Sequence, residues 1–209
     1  MIRPLLYIGV LLLSASCHPE VFRPASGDLL FQVNKSSEMT DAITATTGAN
    51  FSHVAIAVHD DEADSVIEAT SEGGVRVVSL ADFLSASAQI ANHTAVVVMR
   101  LRDTTGITGA AVQRAHQFIG QPYDYSYQPH NNRMYCSELV WESYLDRQHS
   151  EHLFTARPMN FRNTAGELPD FWVQLFAAQG EPVPEGVMGT NPNDLSKEPL
   201  LREVHCYFR

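Results

Sequence analysis

Positive charge is scarce in this chain: 14 Lys and Arg stand against 24 Asp and Glu in 209 residues, a formal net charge of −10. No Lys/Arg cluster exists to track a phosphate backbone, which argues against nucleic acid as a partner. Cysteine is scarce too, with only Cys17, Cys136 and Cys206. There is no CxxC, no HExxH and no close His/Asp/Glu cluster, so neither a metal site nor a cofactor is expected. A glycine loop that could cradle phosphate is missing, and Gly73-Gly74 reads as a turn. The N-terminal apolar run, Leu5 to Leu13, has nine residues. A membrane-spanning helix needs roughly 20.

What is present begins with an export signal. Arg3 supplies a positive charge, the apolar run follows, and Ser14-Ala15-Ser16 provides small residues before Cys17. Residues 1–16 are therefore expected to be a signal peptide and 17–26 an N-terminal tether. Residues 27–209 then form a single domain, whose last part from about residue 150 wraps over it. Cleavage before Cys17 by the ordinary signal peptidase would leave a soluble secreted protein. Alternatively, Cys17 is the lipidated first residue of a lipoprotein. The stretch Leu13-Ser14-Ala15-Ser16-Cys17 resembles a lipobox, although Ser14 stands where leucine is usual. Either way the expected location is a bacterial cell envelope, as a periplasmic protein or outer-membrane lipoprotein; separately, a monomer is expected. Cys206 is either an unpaired buried thiol or the partner of Cys17 in a disulfide.

Along the chain, Gly27-Asp28 turns into a buried strand over Leu29–Val33. Ser36 or Ser37 caps a helix that ends near Gly48. Phe51 to His59 alternates with period two, placing Phe51, His53, Ala55 and Ala57 on one side and Val54, Ile56 and Val58 on the other. Ser65–Ala69 and Val75–Val78 follow at hairpin spacing, which suggests an antiparallel meander. Ser79 starts a helical turn, Thr94 to Leu101 reads as a central strand, and Thr108 to Phe118 as a helix with a stripe of Ala111, Val112, Ala115, Phe118 and Ile119. Gln121 to Arg133 is a loop of aromatic and polar residues. A helix runs from about Cys136 to Leu145. Beyond Gln148, prolines punctuate the chain and one helix is expected, over about Pro169–Ala178.

Three residues carry the chemistry. Cys136 opens a helix, where unpaired N–H groups and the helix dipole favour a thiolate and can face an oxyanion. His53 interrupts an apolar strand beside two alanines and is the candidate base. Glu68 lies on the next strand, where a suitable register would let it steady the imidazole. Each also has a plainer reading: a buried thiol, a sheet-edge histidine and a solvent-facing carboxylate. His130, in the loop before Cys136, competes with His53 for the role of base; Asp28, Asp124 and Glu138 are weaker choices than Glu68 for the carboxylate.

In order and spacing these segments resemble the NlpC/P60 superfamily of papain-like cysteine hydrolases, in its circularly permuted branch, and within it the bacterial YiiX/YaeF/YebB-like group. The residues carrying the resemblance are Gly27-Asp28-Leu29, Ser52-His53-Val54-Ala55-Ile56, Val66-Ile67-Glu68-Ala69, Pro122-Tyr123-Asp124 and Tyr135-Cys136-Ser137-Glu138-Leu139-Val140. The resemblance implies an α+β fold, with an antiparallel, partly barrel-like sheet packed against the cysteine helix. It implies acyl transfer through a thioester on Cys136, with His53 as base and Glu68 as third residue, and disfavours His130. Tyr135, Asp28, Tyr123 and Ser137 would shape or support the site. The substrate would be an amide-bearing cell-wall peptide or an acyl lipid. A binding protein that holds such a molecule without cleaving it is the non-enzymatic alternative.

Overall fold

The structure is a computed structural model, and it describes residues 22–48, 50–60, 63–148 and 150–209. The elements run β1 (Leu29–Gln32), α1 (Glu38–Thr47), β2 (His53–His59), β3 (Asp64–Thr70), β4 (Gly74–Ser79), α2 (Leu80–Ala86), β5 (Gln89–Ile90), β6 (His93–Thr94) and β7 (Val96–Leu101). They continue with α3 (Thr108–Gln117), α4 (Cys136–Ser143), β8 (Arg157–Pro158), α5 (Asp170–Gln179), β9 (Met188–Gly189), α6 (Pro192–Ser196) and β10 (Leu201–Cys206).

Six strands form one antiparallel sheet in the order β10-β7-β1-β2-β3-β4. The meander β2-β3-β4 is as the spacing predicts. Alternation along the strands sorts the core into two layers. Phe31, Val54, Ile56 and Ile67 face Leu139 and Val140 of α4 and Ala111 and Ala115 of α3. On the opposite side, Leu30, Ala55, Ala57 and Val66 pack against Leu80 and Phe83 of α2. Leu139 and Val140 are fully buried, each stabilising the fold by roughly 1.5–3 kcal/mol. Tyr144, at the end of α4, donates its hydroxyl to the Gly27 carbonyl at 2.7 Å and ties the helix to the start of β1.

Several local expectations hold. Ser37 caps α1 by accepting the Thr40 N–H at 3.1 Å, and Gly48 ends it in the left-handed region. Others are corrected. Phe51 precedes β2 rather than joining it, so it leaves the His53 face and packs beside Phe31 at 5.6 Å between ring centroids. The segment read as one strand over Thr94–Leu101 divides, because Thr94 pairs with Gln89 in a separate ribbon. Helix α3 ends before Ile119, which is exposed. The end of the chain does more than wrap, since β10 pairs with β7 and makes that strand internal. No helix among the described residues is long and apolar enough to cross a membrane.

Candidate active site

Cys136 is the first residue of α4, and Tyr135 before it is extended at φ −95°, ψ 167°. Leu139 N–H makes the first α-helical bond, to the Tyr135 carbonyl at 3.0 Å. The N–H groups of the first turn therefore lack intrahelical acceptors. Glu138 reaches back to accept the Tyr135 N–H at 3.4 Å, which fixes the entry to the helix. The last third of the chain clasps the same turn. Ser137 donates its hydroxyl to the Thr190 carbonyl at 3.0 Å, and the Thr190 N–H donates to the Tyr135 hydroxyl at 3.2 Å.

His53 opens β2. Because Ile56 stands opposite Ile67, residues 53 and 68 fall on the same face of the hairpin. The His53 ring nitrogen Nε2 lies 2.8 Å from Glu68 Oε2, and both side chains are buried. Burial is the largest influence on the imidazole and opposes its charge. Hydrogen bonding and charge from Cys136 and Glu68 together outweigh it and raise the pKa to about 10. Burial likewise opposes the Glu68 charge, but hydrogen bonds and charge from His53 and Arg76 hold the carboxyl below its ordinary value. Glu68 and Cys136 thus both act on the His53 imidazole. Cys136 is a free thiol, as is Cys206, which accepts a hydrogen bond from Arg209 Nε at 3.2 Å. The Cys17–Cys206 alternative falls on Cys17, which lies outside the described residues.

Cys136 opens onto a cleft of about 240 Å³. Tyr123, Tyr135 and Ser137 line it, as do four residues the sequence reading did not single out: Tyr127, Phe161, Trp172 and Thr190. Tyr127 is the hub of these aromatics, 5.1 Å from Tyr135, 5.7 Å from Phe161 and 5.5 Å from Trp172. Burial keeps the Tyr123, Tyr127 and Tyr135 hydroxyls protonated far above neutral pH. The Tyr127–Trp172 contact joins segments 45 residues apart, so spacing alone gave no signal of it. The C-terminal third roofs the cleft by way of β8, β9 and the loop into α6.

Asp28 is a correction. It does not line the cleft but is buried in a two-pronged pair with Arg100, at 2.6 and 2.7 Å, and also accepts the Ala25 N–H. His130 is exposed in its loop and lines no part of the cleft. Asp124 is buried and turned back on its own loop, accepting from the N–H groups of Ser126 and Gln128.

The model of the permuted papain-like amidase enzyme family (YaeF/YiiX, C92 family) matches residues 23–205. The chain belongs to this family. It is assigned as a cysteine peptidase or amidase family member with the permuted papain-like, NlpC/P60 fold. The uncharacterized protein YiiX of Escherichia coli (strain K12) is 29% identical over 137 residues, which is 65% of this chain and 64% of that protein. The chain thus spans just under two thirds of that curated relative. The crystal structure of metalloprotein yiiX from Escherichia coli O157:H7 superposes with a TM-score of 0.71 at 22% identity, covering 90% of this chain and all of that one, a likeness of fold.

Proposed function

We propose that this chain is an exported thiol amidase whose nucleophile is Cys136, with His53 as base and Glu68 as orienting carboxylate. The observation that carries the reading is the buried imidazole, held by Glu68 at 2.8 Å and raised in pKa by both Glu68 and Cys136, which opens α4. His53 takes the thiol proton, and the thiolate attacks the amide carbonyl carbon. The N–H groups of Cys136 and Ser137 hold the oxyanion. The imidazolium then protonates the leaving amine as the C–N bond breaks, leaving a thioester on Cys136. Water, deprotonated by His53, attacks the thioester and releases a carboxylic acid and the free thiol.

The substrate we propose is an amide-bearing molecule of the cell envelope, a peptidoglycan peptide being the first candidate. A second reading, an acyl-lipid hydrolase or acyltransferase, is favoured by the aromatic lining of the cleft, where Arg157 is the one cation among the described residues. Export through the N-terminal signal and anchoring through a lipidated Cys17 belong to the same proposal. The O157:H7 relative is described as a metalloprotein. Among the described residues here, no three His, Cys, Asp or Glu side chains gather as a ligand set, so the residues present do not fit a metal and no step is routed through one.

The test is product analysis by mass spectrometry with purified peptidoglycan stem peptides and with N-acyl amides. Released amine and acid are expected from the wild type, and none from Cys136→Ala or His53→Ala variants that fold normally. Cleavage that survives Cys136→Ala would sink the proposal. Tight retention of intact ligand with no product would mark a binding protein instead.

A further inference from the structure

We propose that Arg76 is a positioning residue of this site, fixing the Glu68 carboxylate behind His53 and so setting the reactivity of Cys136. The inference rests on the thiol amidase reading above. In the β3-β4 hairpin Glu68 stands directly opposite Arg76. Arg76 Nε and Nη2 both approach Glu68 Oε1, each at 3.0 Å, while Glu68 Oε2 is kept for His53 at 2.8 Å. One carboxylate oxygen is thus assigned to each partner. A carboxylate held at only one oxygen can rotate about its last bond; held at both, it presents a fixed acceptor to the ring.

The turn before Arg76 is built for this placement. A Cβ on Gly73 would meet Arg76 Cδ at 3.1 Å and Nη1 at 3.2 Å, so the missing side chain leaves room for the arginine to fold over the turn. Gly74 has φ +62°, and a Cβ there would lie 2.1 Å from the Gln121 carbonyl oxygen. That close approach pins the hairpin against the loop that leads to Cys136, and hydrogen bonds from Val75 N–H to Gln121 O and from Gly120 N–H to Val75 O seal it. Register, and with it the Glu68–Arg76 pairing, is fixed by the same contact that positions the loop.

The guanidinium borders a second hollow, of about 290 Å³, which His53 and Glu68 also line, whereas neither of them lines the cleft onto which Cys136 opens. The other charged groups around it are Lys35, Glu72 and Asp82. Lys35 donates to the Ser85 carbonyl at 3.1 Å, and Asp82 accepts the Ser79 hydroxyl at 2.7 Å, so both are engaged elsewhere. Facing His53 itself are Glu68, Cys136 and the Phe83 ring at 6.0 Å. Arg76 joins His53 in holding Glu68 below its ordinary pKa. Without Arg76, the carboxylate takes up its proton at higher pH and releases the imidazole sooner as the solution is acidified.

The full chain is titrated with iodoacetamide across pH, and alkylation is read on the Cys136 peptide by mass spectrometry, so no substrate need be known. Arg76→Ala is expected to slow alkylation roughly tenfold near neutral pH and to move its acid limb upward. Arg76→Lys should recover part of the rate. Because the hollow is open, guanidinium ion at tens of millimolar should restore Arg76→Ala toward the wild-type profile. A wild-type profile in Arg76→Ala overturns the proposal alone. A slower rate with an unmoved acid limb and no rescue also overturns it, marking Arg76 as merely structural. An ordinary free-thiol profile in the wild type overturns the thiol amidase reading, and this proposal with it.

Discussion

Glu68 binds His53 through one carboxylate oxygen and Arg76 through the other, so a single buried side chain links the β2-β3-β4 meander to the thiol at the start of α4. The pair has a definite pH signature. The His53 pKa is raised from 6.5 to about 10, so its share of stability is complete below about 6.5 and fades as pH rises through about 10. The Glu68 pKa is lowered, so its share is complete above its ordinary value of 4.5 and fades as pH falls below that.

Glu68→Gln should therefore cost most stability between about pH 4.5 and 6.5, with the gap from wild type closing toward acid and toward alkali. Urea unfolding at a series of pH values checks this. A gap that stays constant with pH would mean that the two groups are not an ion pair in the folded protein.

Glu138 behaves in the opposite sense. Burial, with the Asp124 charge behind it, raises its pKa from 4.5 to about 8. The folded state therefore favours the neutral acid, and stability is lost progressively as pH rises from about 4.5 through about 8. Glu138→Gln keeps an acceptor for the Tyr135 N–H and removes the titration. It should be near neutral in acid and stabilising by roughly 2–4 kcal/mol above pH 8. Thermal melts at both ends of that range decide the matter.

The Asp28–Arg100 pair predicts a separation of stability from activity. Asp28→Asn leaves the partly exposed Arg100 without its buried anion and should cost about 1.5–3 kcal/mol in denaturant unfolding. Turnover by the remaining folded fraction should stay unchanged, because Asp28 does not line the cleft. A specific loss of kcat would return Asp28 to the site.

Much of the site was legible because its signals are local. The helix start at Cys136, the alternation after His53 and the hairpin spacing to Glu68 are each carried by a short stretch of sequence. The parts that escaped depend on pairings distant in sequence. Asp28 reads as a site residue until Arg100, 72 residues away, claims both of its oxygens. Strand β10 carries Arg202, Glu203 and His205, a polar composition that suits a sheet edge and hides the strand. The five-residue helix α6 is too short for periodicity to show, and its local signs are the Asn191 cap and Pro192 at the first helical position. Arg76 was within reach, since a hairpin closing at Gly74 sets it opposite Glu68.

Intact-mass and peptide analysis of enzyme quenched in acid during turnover of an amide substrate addresses the nucleophile itself. The expected result is an acyl mass on the Cys136 peptide that appears and decays with product formation, and that is missing in His53→Ala. Steady hydrolysis with no acyl group on Cys136, or with the acyl group on another residue, would contradict the assignment.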